Sequence, residues 1–187
     1  MATALFISEQ FIKETSAIDE NVDMKYIGIT IDKCQKKYIL DILGTGLYNE
    51  LQTQILAGTV TSLNRTLLDN YIQDALKYWV LYEGIELFTY KITNKSIVTK
   101  TSENSQPIDL SVVTRLMDGY KDDAEFFSEK ITKYLCANSS SYPLYLNPGN
   151  TIDTVYPNKN NYTTGWVLDN NINGYKDIDT ARPENCC

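Results

Sequence analysis

The chain contains no histidine. That removes the commonest general base and the commonest metal ligand from any candidate site. No apolar run approaches the roughly 18 uncharged residues that a membrane-spanning helix needs. The N-terminus, MATALFISEQ, has no basic n-region and only a short apolar stretch, so a secretory signal is not expected. The four cysteines form neither a disulfide framework nor a spaced zinc pattern. Cys34 and Cys136 fall on apolar helical faces and are expected to be small buried hydrophobes, while Cys186 and Cys187 end the sequence. A reducing cytoplasm during synthesis is the expectation. Basic charge is also short: 17 Lys and Arg face 24 Asp and Glu, for a net charge of -7. Tight nucleic-acid binding needs a basic face to neutralise phosphates, so this balance argues against it. An acidic wall that lets DNA slide past remains compatible with it.

What is present is helical patterning. Hydrophobic residues make up 43% of the 187 positions, enough for one packed domain with an extension. Ser8 is placed to cap a short helix that ends near Thr15. A second helix is expected from Asn21 or Asp23 to Leu43, because Ile27, Ile31, Cys34, Tyr38 and Ile42 lie on one face. Gly44 then offers a left-handed stop, and Thr45 a cap for a third helix over Leu47–Leu56. Asn64 is expected to cap the fourth helix, which runs to about Lys91. Its Trp79-Val80-Leu81 segment is apolar on every side and should be central. Pro107 and Asp109 open a fifth, along Leu110, Val113, Met117, Tyr120, Ala124, Phe127, Ile131 and Tyr134 to about Ala137. The pattern predicts an all-α helical bundle of about five helices over residues 1–137.

Between the last two helices, Thr93–Gln106 is long for a simple connection, so a short hairpin or a contact surface is expected there. Lys95, Ile97, Val98 and Lys100 are its candidate contact residues. From Asn138 the period is lost. Residues 138–187 read as a long extended, largely non-helical C-terminal arm, with a possible short β-hairpin at Asn160–Leu168. Tyr142, Tyr145, Tyr156, Tyr162, Trp166 and Tyr175 recur through it, and such residues favour interfaces.

No catalytic constellation emerges, and no cofactor or metal site is expected. Asp122, Asp123, Glu125 and Glu129 sit among lysines and read as a solvated helix face. Gly44-Thr45-Gly46 is too short for a phosphate cradle. The Asp169–Asp177 segment matches the start of a calcium loop, but Thr180 stands where the bidentate Glu belongs, so a plain Asn/Gly turn is the reading.

Four segments carry a resemblance: LFISEQFIKETSAIDENVDMKYI at Leu5–Ile27, LDILGTGLYNEL at Leu40–Leu51, Leu67–Ser105 with its LKYWVLYEGIELFTYK core, and FFSEKITKYLCANSSSYPLY at Phe126–Tyr145. In order and spacing they resemble the head–tail connector (adaptor, or ring) proteins of crAss-like and related tailed bacteriophages. The resemblance implies a non-enzymatic virion protein, assembled in the host cytoplasm, that closes into a homo-oligomeric ring, usually of twelve copies. Such a ring docks beneath the portal protein, meets downstream neck or tail ring or hub proteins, and passes double-stranded DNA without tight binding. No membrane partner is implied. The alternative is a non-catalytic helical interaction module, monomer or dimer, with a disordered arm. For the connector, removal of Asn138–Cys187 is expected to spare the helical signal while abolishing neck assembly.

Overall fold

The computed structural model describes residues 3–92, 97–99, 110–149 and 151–158. Its elements run α1 (Glu9–Thr15), α2 (Met24–Cys34), a π turn (Gln35–Ile39), α3 (Leu40–Ala57), α4 (Ser62–Leu67), a second π turn (Leu68–Ile72) and α5 (Gln73–Thr89). A two-stranded antiparallel hairpin, β1 (Tyr90–Ile92) and β2 (Ile97–Thr99), leads on to α6 (Leu110–Ala137), a 3-10 turn (Ser139–Ser141) and α7 (Pro143–Leu146). The fold is all-α in class, a bundle of about five helical rods.

Local chemistry sets the helix starts. The Ser8 hydroxyl accepts the Phe11 N–H, and the Asp23 carboxylate accepts the Lys25 N–H. Thr61, not Asn64, caps the fourth rod, its hydroxyl accepting the Asn64 N–H at 3.2 Å. Asn64 is buried one turn on, where its amide donates to Gln54. Each π turn adds a residue to its rod's turn, and the buried residues Gln35, Ile39, Leu68 and Ile72 lie in them.

Helix α5 is the axis of the bundle. Ala75, Leu76, Trp79, Val80 and Leu81 are all buried, and the helix packs against α6 on one side and α2 on another. The Tyr38 ring stacks on Trp79 with centroids 3.6 Å apart, and the Trp79 indole N–H donates to Ser128 of α6 at 2.9 Å. Three rods therefore meet at one side chain. The N-terminal segment is tied down by amides: Gln35 accepts the Phe6 N–H at 2.8 Å and donates to the Ala4 carbonyl at 2.9 Å.

Two expectations are corrected here. The body does not end at Ala137. Tyr142 and Tyr145, expected on a contact surface, are buried in the same chain's core, and the Tyr142 hydroxyl donates to the Leu63 carbonyl at 3.1 Å. Their rings face inward because Pro143 opens a further helical turn that folds the chain back onto α3. Deleting Asn138–Cys187 would thus remove part of the core. Cys136 is the second case: it is only half-buried, whereas Cys34 is a fully buried free thiol.

The break at Gly44 is where Pro148 and residues 155–158 dock. Gly44 takes φ 73 and ψ 162, so it interrupts the rod instead of capping it in the left-handed helical region. Thr45 does not cap the second half of α3. Its N–H donates to the Val155 carbonyl at 2.9 Å, and its hydroxyl accepts the Val155 N–H at 2.7 Å. The Asn158 N–H donates to the Asp41 carbonyl at 2.8 Å. A Cβ on Gly44 would lie 2.7 Å from Pro157, and one on Gly46 would lie 2.7 Å from Pro148. The glycines leave room for Pro148 and Pro157, and the Thr45 N–H and the Asp41 carbonyl at the break find partners in Val155 and Asn158.

Candidate interaction surfaces

Among the described residues we single out three surfaces outside the core. The first is the leading half of α6. No residue from Ser111 to Asp123 is buried, and Val112 and Leu116 are 44% and 50% exposed. With Arg115, Gly119, Tyr120 and Asp123 they line a shallow groove of about 380 Å³. Phe126 continues the face at 54% exposure, with the Lys130 ammonium 4.6 Å from its ring centre. The carboxylates further along form i,i+4 ion pairs, Glu125 with Lys121 at 3.6 Å and Glu129 with Lys133 at 2.7 Å. They lie on solvated helix surface.

The second surface is the outer face of α2. Ile27, Ile31 and Cys34 turn inward, so Lys25, Ile29, Lys33 and Lys36 turn outward. Ile29 is 52% exposed among them. Glu9 and Asp32 line the same groove as Lys25, and Lys36 of the following π turn pairs with Asp32 at 2.7 Å. Beside this face, Glu83 of α5 receives Lys33 Nζ at 2.5 Å, Lys37 Nζ at 2.6 Å and the Tyr38 hydroxyl. Burial alone would raise the Glu83 carboxyl, but the bonds from Lys33, Lys37 and Tyr38 outweigh it and hold the group down at about 2. Burial, with Glu83 nearby, pushes the Cys34 thiol up to about 12.

The third is a groove of about 500 Å³ between the π turn after α2, α5 and α6. Tyr38, Trp79, Tyr82 and Phe126 line it, with Lys37, Lys121 and Asn158 among its polar groups. Among the described residues no group of three or more acidic or cysteine side chains could hold a metal ion, and no helix is long and apolar enough to cross a membrane.

The candidate contact residues separate widely. Ile97 and Val98 lie on β2, in register with Ile92 and Lys91. Tyr156 is 62% exposed, on the segment that fills the Gly44 break. Lys95, Lys100, Tyr162, Trp166 and Tyr175 lie outside the described residues, as does the Asp169–Asp177 loop. The Glu83 cluster and the Gly44 groove escaped sequence reading, because their partners lie far apart in sequence.

Residues 39–155 match the model of a family described as a family of unknown function, DUF6712. The chain belongs to this family. The DUF6712 range runs from the end of the first π turn to Val155, so it takes in the Gly44 break and the residue that bonds to Thr45. No curated protein and no solved structure matches the chain.

Proposed function

We propose that this protein is a structural virion component, a head–tail connector that forms a ring beneath the portal and extends the DNA channel toward the tail. The ordered sequence likeness from Leu5 to Tyr145 carries the reading. The exposed apolar face on α6 supports it, since patches of that kind mark contact surfaces. The net charge of -7 suits a conduit to which DNA must not adhere. In this role the protein works by shape and adhesion, with no bond-making step of its own. It resides in the phage neck and is assembled in the bacterial cytoplasm.

The test is negative-stain imaging and light scattering of the full chain mixed with the portal protein of the same phage. Closed rings seated on the portal are expected. A chain that stays unattached in that mixture, and is missing from purified virions, would overturn the connector role.

A further inference from the structure

Four aromatic side chains, Tyr38, Trp79, Tyr82 and Phe126, line the groove between the π turn after α2, α5 and α6. Phe126 is the most open of them, at 54% exposure. The charged groups around them are of both signs and already paired within the fold: Lys37 with Glu83, Lys121 with Glu125, and Glu129 with Lys133. Such a rim gives no net preference for a charged ligand, whereas aromatic walls favour another ring laid against them. The groove therefore suits an uncharged, aromatic occupant.

The course of the chain points to which one. Asn158, the last of the described residues, is itself part of the lining. Its backbone N–H donates to the Asp41 carbonyl at 2.8 Å, and its side-chain amide donates to the Asp41 carboxylate at 3.3 Å. Residues 159–187 therefore start from the groove. After Lys159 the sequence carries no charge until Asp169, and Tyr162, Trp166, Val167 and Leu168 fall within that run. A chain from Asn158 to Trp166 spans at most about 28 Å. A tether this short holds its end at an effective concentration in the millimolar range.

We propose that the groove is the docking site for the Tyr162–Leu168 stretch of the same chain, with the Trp166 ring against Phe126 and Tyr82. Burying a ring of that kind removes roughly 150–250 Å² from water. The tether favours the chain's own segment over that of another copy, because closure within one molecule needs no encounter. The contact lies inside one copy and stands apart from the connector role.

The experiment puts the photo-cross-linker p-benzoyl-phenylalanine in place of Trp166 in the full-length chain and maps its adducts by mass spectrometry. An equal mixture of heavy-isotope and unlabelled protein separates contacts within a copy from contacts between copies. Adducts on the peptides carrying Tyr82 or Phe126 are expected, each within one isotope class, at a yield that dilution leaves unchanged. Phe126→Glu, at an exposed position where circular dichroism should show wild-type helix content, is expected to cut that yield several-fold. Native tryptophan supplies a second readout. The chain has two tryptophans, so fluorotryptophan labelling gives two fluorine resonances, and Trp166→Leu identifies one of them. Phe126→Glu should move that resonance toward the position of the free amino acid. Mixed-isotope adducts in the groove would assign it to another copy's segment and overturn docking within the chain. Adducts confined to other surfaces, or a Trp166 resonance that Phe126→Glu leaves in place, would overturn it as well. Neither result bears on ring formation at the portal.

Discussion

At the scale of single residues, the molecule depends on a few side chains that each join separate rods. Trp79 is the clearest, with Tyr38 stacked on its face and Ser128 bonded to its indole. Trp79→Ala should cost about 3–5 kcal/mol, read from chemical denaturation. Glu83 ties α5 to the lysines of α2 and the adjoining π turn. Because its carboxyl is held at about 2 against an ordinary 4.5, the folded state favours the ionised form. Its stabilising contribution is complete above pH 4.5 and disappears as pH falls toward 2. Glu83→Gln should lower stability at pH 7 by about 1–3 kcal/mol and flatten the loss of stability between pH 4.5 and 2, measured by urea midpoints across that range. The Cys34 thiol, buried and raised to about 12, should resist thiol reagents in the native state and react only on unfolding. Time courses with a chromogenic disulfide would show this.

At the scale of elements, the helices were legible because their signals are local. Ser8 caps α1, and the step of three and four through Leu110–Tyr134 reappears as α6. Trp79-Val80-Leu81 marked the central rod because an all-round apolar segment has no solvent face. What escaped depends on residues far apart in sequence. Nothing near Tyr142 or Tyr145 reveals that their turn folds back under Leu63, so an aromatic, proline-bearing stretch looked like an arm. Gly44-Thr45-Gly46 looked like punctuation because its partners, Pro148, Val155 and Pro157, lie about a hundred positions away. A truncation tests this: removal from Asn138 should lower the thermal midpoint sharply, since two fully packed tyrosines go with it. Gly44→Ala should destabilise by about 1–3 kcal/mol, because φ 73 and the 2.7 Å approach of Pro157 both oppose a side chain.

At the scale of the whole molecule, α5 packs against both α2 and α6, whose exposed faces carry mixed charge on separate rods. In the proposed ring each copy receives one neighbour and offers itself to another. Exposed charge makes the process sensitive to ionic strength. Self-association should weaken several-fold between about 50 mM and about 500 mM salt as the Debye length falls from roughly 14 Å to about 4 Å, measured by sedimentation velocity at fixed protein concentration.

The bonds between Thr45 and Val155 span 110 positions. A ribosome must therefore deliver nearly the whole body before the notch at Gly44 can be filled. Until then Asp41 and Thr45 remain hydrated and the first long rod is free to bend at that point. Closing the notch therefore has to wait for residue 155: a polypeptide truncated before Val155 lacks the groups that bond to Thr45.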